Sequence, residues 1–212
     1  MTSDRALEIV AFDFDVPADY HPVPLAGAEG LDSVRWARGV VDEIEQDVDS
    51  VGEVGDIVEQ LAELRRQLLS QQDSWLSAAV SIRPEDELSI GCLVTAEQFA
   101  MDDDDGPEAF ETMLREGTRV LAPGKRTRTA DLWRSHSDVG EIVGMFHRFD
   151  VTDPGAVVAR VEQRTIFGVF PPGSSDMIRF VFTVSDLATF DDMPRDTQAI
   201  VERLTVTTAV RA

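Results

Sequence analysis

The sequence predicts an α+β fold in which helices cover a mostly antiparallel sheet. Three observations carry that expectation. Runs with a strict period of two fall in adjacent pairs around short polar turns, as hairpins require. Two long runs carry apolar residues every third or fourth position, as amphipathic helices do. The elements come as a strand, a helix pair, a hairpin, a helix and then further hairpins, an order that suits a segregated α+β domain better than a doubly wound one.

Leu7, Ile9 and Ala11, followed by Phe12 and Phe14, predict an opening strand that ends near Val16 and Pro17, because proline cannot continue a ladder. ADYHPVPLAG then reads as a loop. Val34, Ala37, Val41, Ile44 and Val48 mark one helix, and Val54, Ile57, Val58, Leu61, Leu64 and Leu68 mark a second. Gly52 and Gly55 place the break between them, since each weakens a continuous helix by about 1 kcal/mol. The pair, about 31–72, is expected to pack on the sheet of a single domain, 1–212.

Leu76, Ala78, Val80 and Ile82 alternate, RPEDE turns the chain, and Leu88 to Val94 alternate again, which predicts a hairpin. Next come an acidic loop and a helix that starts at Pro107 and turns Phe110, Met113 and Leu114 inward. PGKRTRTADLWRSHSDVGEIVGMFHRFDV predicts another hairpin, with Val143, Met145, His147, Phe149 and Val151 on one side of its second strand. In the last third, Val161, Thr165, Phe167 and Val169 face Ile178, Phe180, Phe182 and Val184 across the turn PPGSSD. A closing helix follows, with Pro194 in its first turn and Ile200, Val201 and Leu204 at helical spacing.

This last segment, TIFGVFPPGSSDMIRFVFTVSDL with AIVERLTV, resembles the end of the α-β-α sandwich shared by the extrinsic oxygen-evolving subunit of photosystem II and the Mog-type Ran-binding factor. Many uncharacterised actinobacterial proteins share it too. The resemblance implies a PsbP/Mog-like α-β-α sandwich with a mostly antiparallel central sheet. It also implies a non-catalytic binding or assembly role, with no cofactor. Some exported relatives carry a lipoprotein cysteine or an export signal, and this chain shows neither.

With 212 residues, 43% of them hydrophobic, the chain can bury a substantial core. Its formal net charge of -21 argues against nucleic acid or an anionic membrane as partner and favours a basic protein surface or peptide. Cys92 is the only cysteine, so no disulfide closes within the chain, and its alternation with Leu88, Ile90 and Val94 predicts a buried strand thiol. The N-terminal stretch lacks a basic region followed by an apolar one, so a cytoplasmic location is expected, as a monomer or homodimer.

Candidate chemistry is sparse. Asp102 to Asp105 before Gly106 suggests a calcium loop, but with Gly106 at the sixth position Met101 falls at the first and Thr112 where a bidentate glutamate belongs. Ser135, His136, Ser137 and Asp138 stand side by side, whereas a triad needs its members converging from separate segments. His21, His136 and His147 have no paired ligand spacing, so no metal is expected, and His147 reads as a hydrogen-bonded core histidine. GKRTR, with Lys125, Arg126 and Arg128, is the one basic island, and Trp133 and Arg134 follow on the same strand. Arg126, Arg128, Trp133 and His136 therefore make the expected recognition surface, where guanidinium forks would clamp a carboxylate or phosphate unless the protein's own acids neutralise them. The leading expectation is a non-catalytic protein-binding or assembly factor. The alternatives are a small-molecule-binding protein, with its pocket between helix pair and sheet, and a hydrolase using His136 or His147 with nearby carboxylates.

Overall fold

The computed structural model describes residues 7–25, 32–47, 54, 56–71, 76–83, 88–102, 105–152, 155, 158–184 and 186–210. In chain order the elements are β1 (Leu7–Asp13), β2 (Tyr20–Pro22), α1 (Ser33–Asp47), α2 (Ile57–Ser70), β3 (Leu76–Arg83), β4 (Ser89–Ala100), α3 (Pro107–Gly117), β5 (Lys125–Ser137), β6 (Gly140–Val151), β7 (Arg160–Phe170), β8 (Asp176–Val184), α4 (Met193–Val201) and β9 (Thr205–Val210). The fold is α+β, and the strand pairs β1–β9, β2–β3, β5–β6, β6–β7 and β7–β8 are all antiparallel. The helix break expected at Gly52 and Gly55, the acidic residues Asp103 and Asp104, and most of the RPEDE turn lie outside the described residues.

The chain divides into two compact units, 17–95 and 1–16 with 96–212. In the first, β2, β3 and the start of β4 lie side by side in that order. Their aliphatic core joins Val80, Ile82 and Leu88 to Ala37, Val40, Val41 and Ile44 of α1 and to Ile57, Leu61 and Leu68 of α2. Val34, assigned to the apolar stripe of α1 from its spacing, is exposed, because the buried stripe runs through Val40 instead. Cys92 is fully buried, as its alternation indicated.

In the second unit the order is β4, β8, β7, β6, β5, with β4 contributing its last residues. Two strands were not anticipated. One is β2, within the presumed loop of the first unit, and the other is β9, which follows the expected closing helix and pairs with β1. Register assigns the two faces of the β5–β8 sheet. Phe167 pairs with Gly144 and Phe180, and with Ile178, Phe182 and Val169 they form one face. That face meets α4 through a hydrogen bond between the Thr165 and Thr197 hydroxyls at 2.9 Å. Val143, Met145 and Phe170 lie on the other face, where Phe110 and Leu114 of α3 pack on them. Gly168 makes that packing possible, because a Cβ there would lie 2.7 Å from the Phe110 ring. Both faces of β6, β7 and β8 are therefore largely covered, whereas β5 stays mostly exposed.

Candidate functional site

The GKRTR island is split by the alternation of the strand that carries it. Arg126 and Arg128 reach Asp150, at 3.3 and 2.5 Å, on the α4 side of the sheet. Both are thus engaged by one carboxylate of the protein's own, which they share. Trp133 lies on the same side over Gly144, about 20 Å from Arg126 at the usual rise of a strand. Its indole Nε1–H donates to Gln198 Oε1 at 2.9 Å and its ring meets Phe167 edge to face, so it belongs to the packing of α4. His136 is exposed on the α3 side, paired in register with Glu141 at the far end of the hairpin. The four residues of the expected surface do not converge.

Ser137, in the RSHSD trio, points to the face opposite His136, as neighbours on a strand must. His136, Ser137, Asp138 and Glu141 do border one shallow cleft at the hairpin end. Among the described residues no group of three His, Cys, Asp or Glu side chains could hold a metal ion.

Lys125 points to the α3 side and enters a different constellation. The C-terminal half of α3, from Met113 to Gly117, together with Leu121, roofs a pocket of about 270 Å³ over Met145, His147, Phe149, Arg164 and Ile166. Register explains the gathering: His147 faces Arg164 across β6 and β7, and Lys125 faces Val151 at the start of β5. Phe149 is the centre of it. The Lys125 Nζ lies 4.9 Å from its ring centroid, the Arg164 guanidinium carbon 5.5 Å, and the His147 ring packs beside it at 4.9 Å. Such cations over an aromatic face are held by its quadrupole and need no counter-ion to stay in place.

His147 is a hydrogen-bonded core histidine, 5% exposed. The Thr127 hydroxyl donates to the Thr118 carbonyl at 2.9 Å and so accepts at 3.0 Å from the His147 Nε2–H, which assigns the neutral ring its tautomer. Burial, then Arg164 and Lys125, hold its pKa below the usual histidine value. The ring is neutral at pH 7, and cations rather than the carboxylates of a hydrolase surround it.

Arg164 is the unusual member. Burial lowers its pKa, and Glu162 offsets this in part. Its buried Nε has no hydrogen-bond partner among the described residues. Buried polar atoms are nearly always paired, and leaving one unpaired costs about 1–3 kcal/mol. Glu162 does not cancel the local charge, since it lies 3.8 Å from Lys125 and is shared with Arg160. The pocket thus offers two cations, one of them unsatisfied, above an apolar floor. Sequence reasoning found Lys125 and His147 but did not connect them, and it missed Arg164 and Met113 as pocket residues. Comparison with protein-family models and with curated proteins finds no match.

Proposed function

We propose that the protein is a non-catalytic, cytoplasmic binding protein whose second unit holds a small molecule with one anionic group and an apolar body. The observation that carries this reading is that Arg164, whose buried Nε meets no acceptor among the described residues, lines an apolar pocket beside Lys125. A carboxylate or phosphate would accept from the guanidinium, while Phe149, Met145 and Ile166 would cover the apolar part. A PsbP/Mog-like α-β-α sandwich is the finer fold we assign, supported by α3 and α4 lying on opposite faces of the second unit's sheet. Among the described residues no helix is long and apolar enough to cross a membrane.

A basic protein or peptide partner is the second reading, favoured by the net charge of -21. Isothermal titration with benzoate and with phenyl phosphate separates the two. The pocket reading expects saturable binding of at least one, weakened tenfold or more by Arg164→Met or Lys125→Met and unchanged by Arg126→Met. Binding that depends on Arg126 and ignores Arg164, or no binding of either probe, would remove the pocket reading.

A further inference from the structure

We infer that the ligand of this pocket is an extended carboxylate amphiphile, a free fatty-acid-like chain. Its head group meets Arg164 and Lys125, and its tail runs along one flank of α3 into a second, apolar groove. This rests on the reading above. At about 270 Å³ the basic pocket is smaller than the usual range of ligand sites, which begins at about 300 Å³. A second groove of about 370 Å³ lies against the same helix, lined by Phe99, Ala109, Phe110, Phe170 and Met177. Met113 borders both.

The helix geometry joins the two. Ala109, Met113 and Gly117 follow one another at i, i+4 and i+8, so they share one flank of α3 and span about 12 Å at 1.5 Å per residue, near the length of an extended decanoyl chain. The residues at the two ends are small and leave room beside the helix. Met113 between them was expected to face inward, yet it is 49% exposed, an apolar, adaptable side chain at the junction. The opposite flank is closed, because Arg134 is held there by Glu108, Glu111 and Glu141 at 2.8, 2.9 and 3.0 Å.

Charge sets the direction of the chain. The cation bordering the apolar groove, Arg179, is neutralised by Glu97 at 2.7 Å and lies over the Phe99 ring. That end therefore takes hydrocarbon, and the head group goes to the end where Arg164 is unsatisfied. A net charge of -21 repels anionic bilayers, so the source is the free amphiphile rather than a membrane surface.

Titration of the full chain with the straight-chain acids from hexanoate to dodecanoate, below their aggregation concentrations, tests this. Affinity is expected to rise roughly three- to fourfold per methylene up to about decanoate, the increment of a buried methylene, and then to level off. Ala109 lines the second groove and not the basic pocket, so Ala109→Glu should flatten the series while leaving hexanoate binding in place, and Arg164→Met should weaken every member tenfold or more. If benzoate or phenyl phosphate binds through Arg164 but the acids show no chain-length dependence, the extended track is wrong and the anion pocket stands. Should no probe bind, or should binding ignore Arg164, both fall. Retention on phosphatidylglycerol vesicles that survives Arg164→Met would overturn the free amphiphile in favour of a membrane surface.

Discussion

Arg65 and Arg164 are both drawn into apolar surroundings, one in each unit, and they end differently. Arg65, 2% exposed on α2, is satisfied by its own unit: its Nε donates to the Pro24 carbonyl and its Nη1 to the Ser33 hydroxyl, both at 2.9 Å. It clips the loop after β2 and the start of α1 onto α2. Arg164 sits over Phe149 with a buried Nε that meets no acceptor among the described residues. A satisfied buried cation is part of the fold, whereas an unsatisfied one beside a pocket marks a place for something else.

The comparison predicts opposite signs for the same substitution. Arg65→Met should lower the unfolding free energy by about 2–3 kcal/mol, because the Pro24 carbonyl and the Ser33 hydroxyl lose their donors inside the core. Urea denaturation followed by circular dichroism measures this. A loss under about 0.5 kcal/mol would mean that the 17–95 unit does not depend on the clip.

A smaller effect is expected from His147, which reports the field of the pocket. Its folded pKa lies below the unfolded value near 6.5, so between these two the unfolded chain binds more protons and stability rises with pH. The stability it permits is full above about 6.5 and is lost as pH falls through the folded pKa. His147→Gln should flatten that part of the profile relative to the wild type, whose His21 and His136 are common to both. Parallel profiles between pH 7.5 and 5.5 would show that neither burial nor the neighbouring Arg164 and Lys125 disfavours the charged ring.

The sequence exposed the framework of the sheet well and the site poorly, for one physical reason. Period-two patterning reports which residues share a face of one strand, and it identified β3 and β5 to β8, including the buried faces of Phe180 and Phe182 and of Val143 and Met145. It does not report register between strands. The meeting of His147 with Arg164 depends on how β6 aligns with β7, across a connection of eight residues, 152–159. The cations adjacent in sequence, Lys125 and Arg126, were read as one basic island although strand geometry sends them to opposite faces. Met113 occupies a helical position that an amphipathic pattern counts as inward, and only the docking of Phe110 over Gly168 turns it to the edge of the groove. The short strand β2 was hidden between Pro17 and Pro24, and β9 carried its signal, TVTTAV, beyond the helix taken as the end of the fold.

The most direct test of the account is the unfolding free energy of Arg164→Met with and without decanoate. Replacing a part-buried cation whose Nε meets no acceptor by an apolar side chain of similar length should stabilise the free protein by about 1 kcal/mol. The same variant should lose the ligand-induced stabilisation that the wild type shows. A variant that is less stable than the wild type and still responds to decanoate would contradict the account, for Arg164 would then be a structural arginine like Arg65.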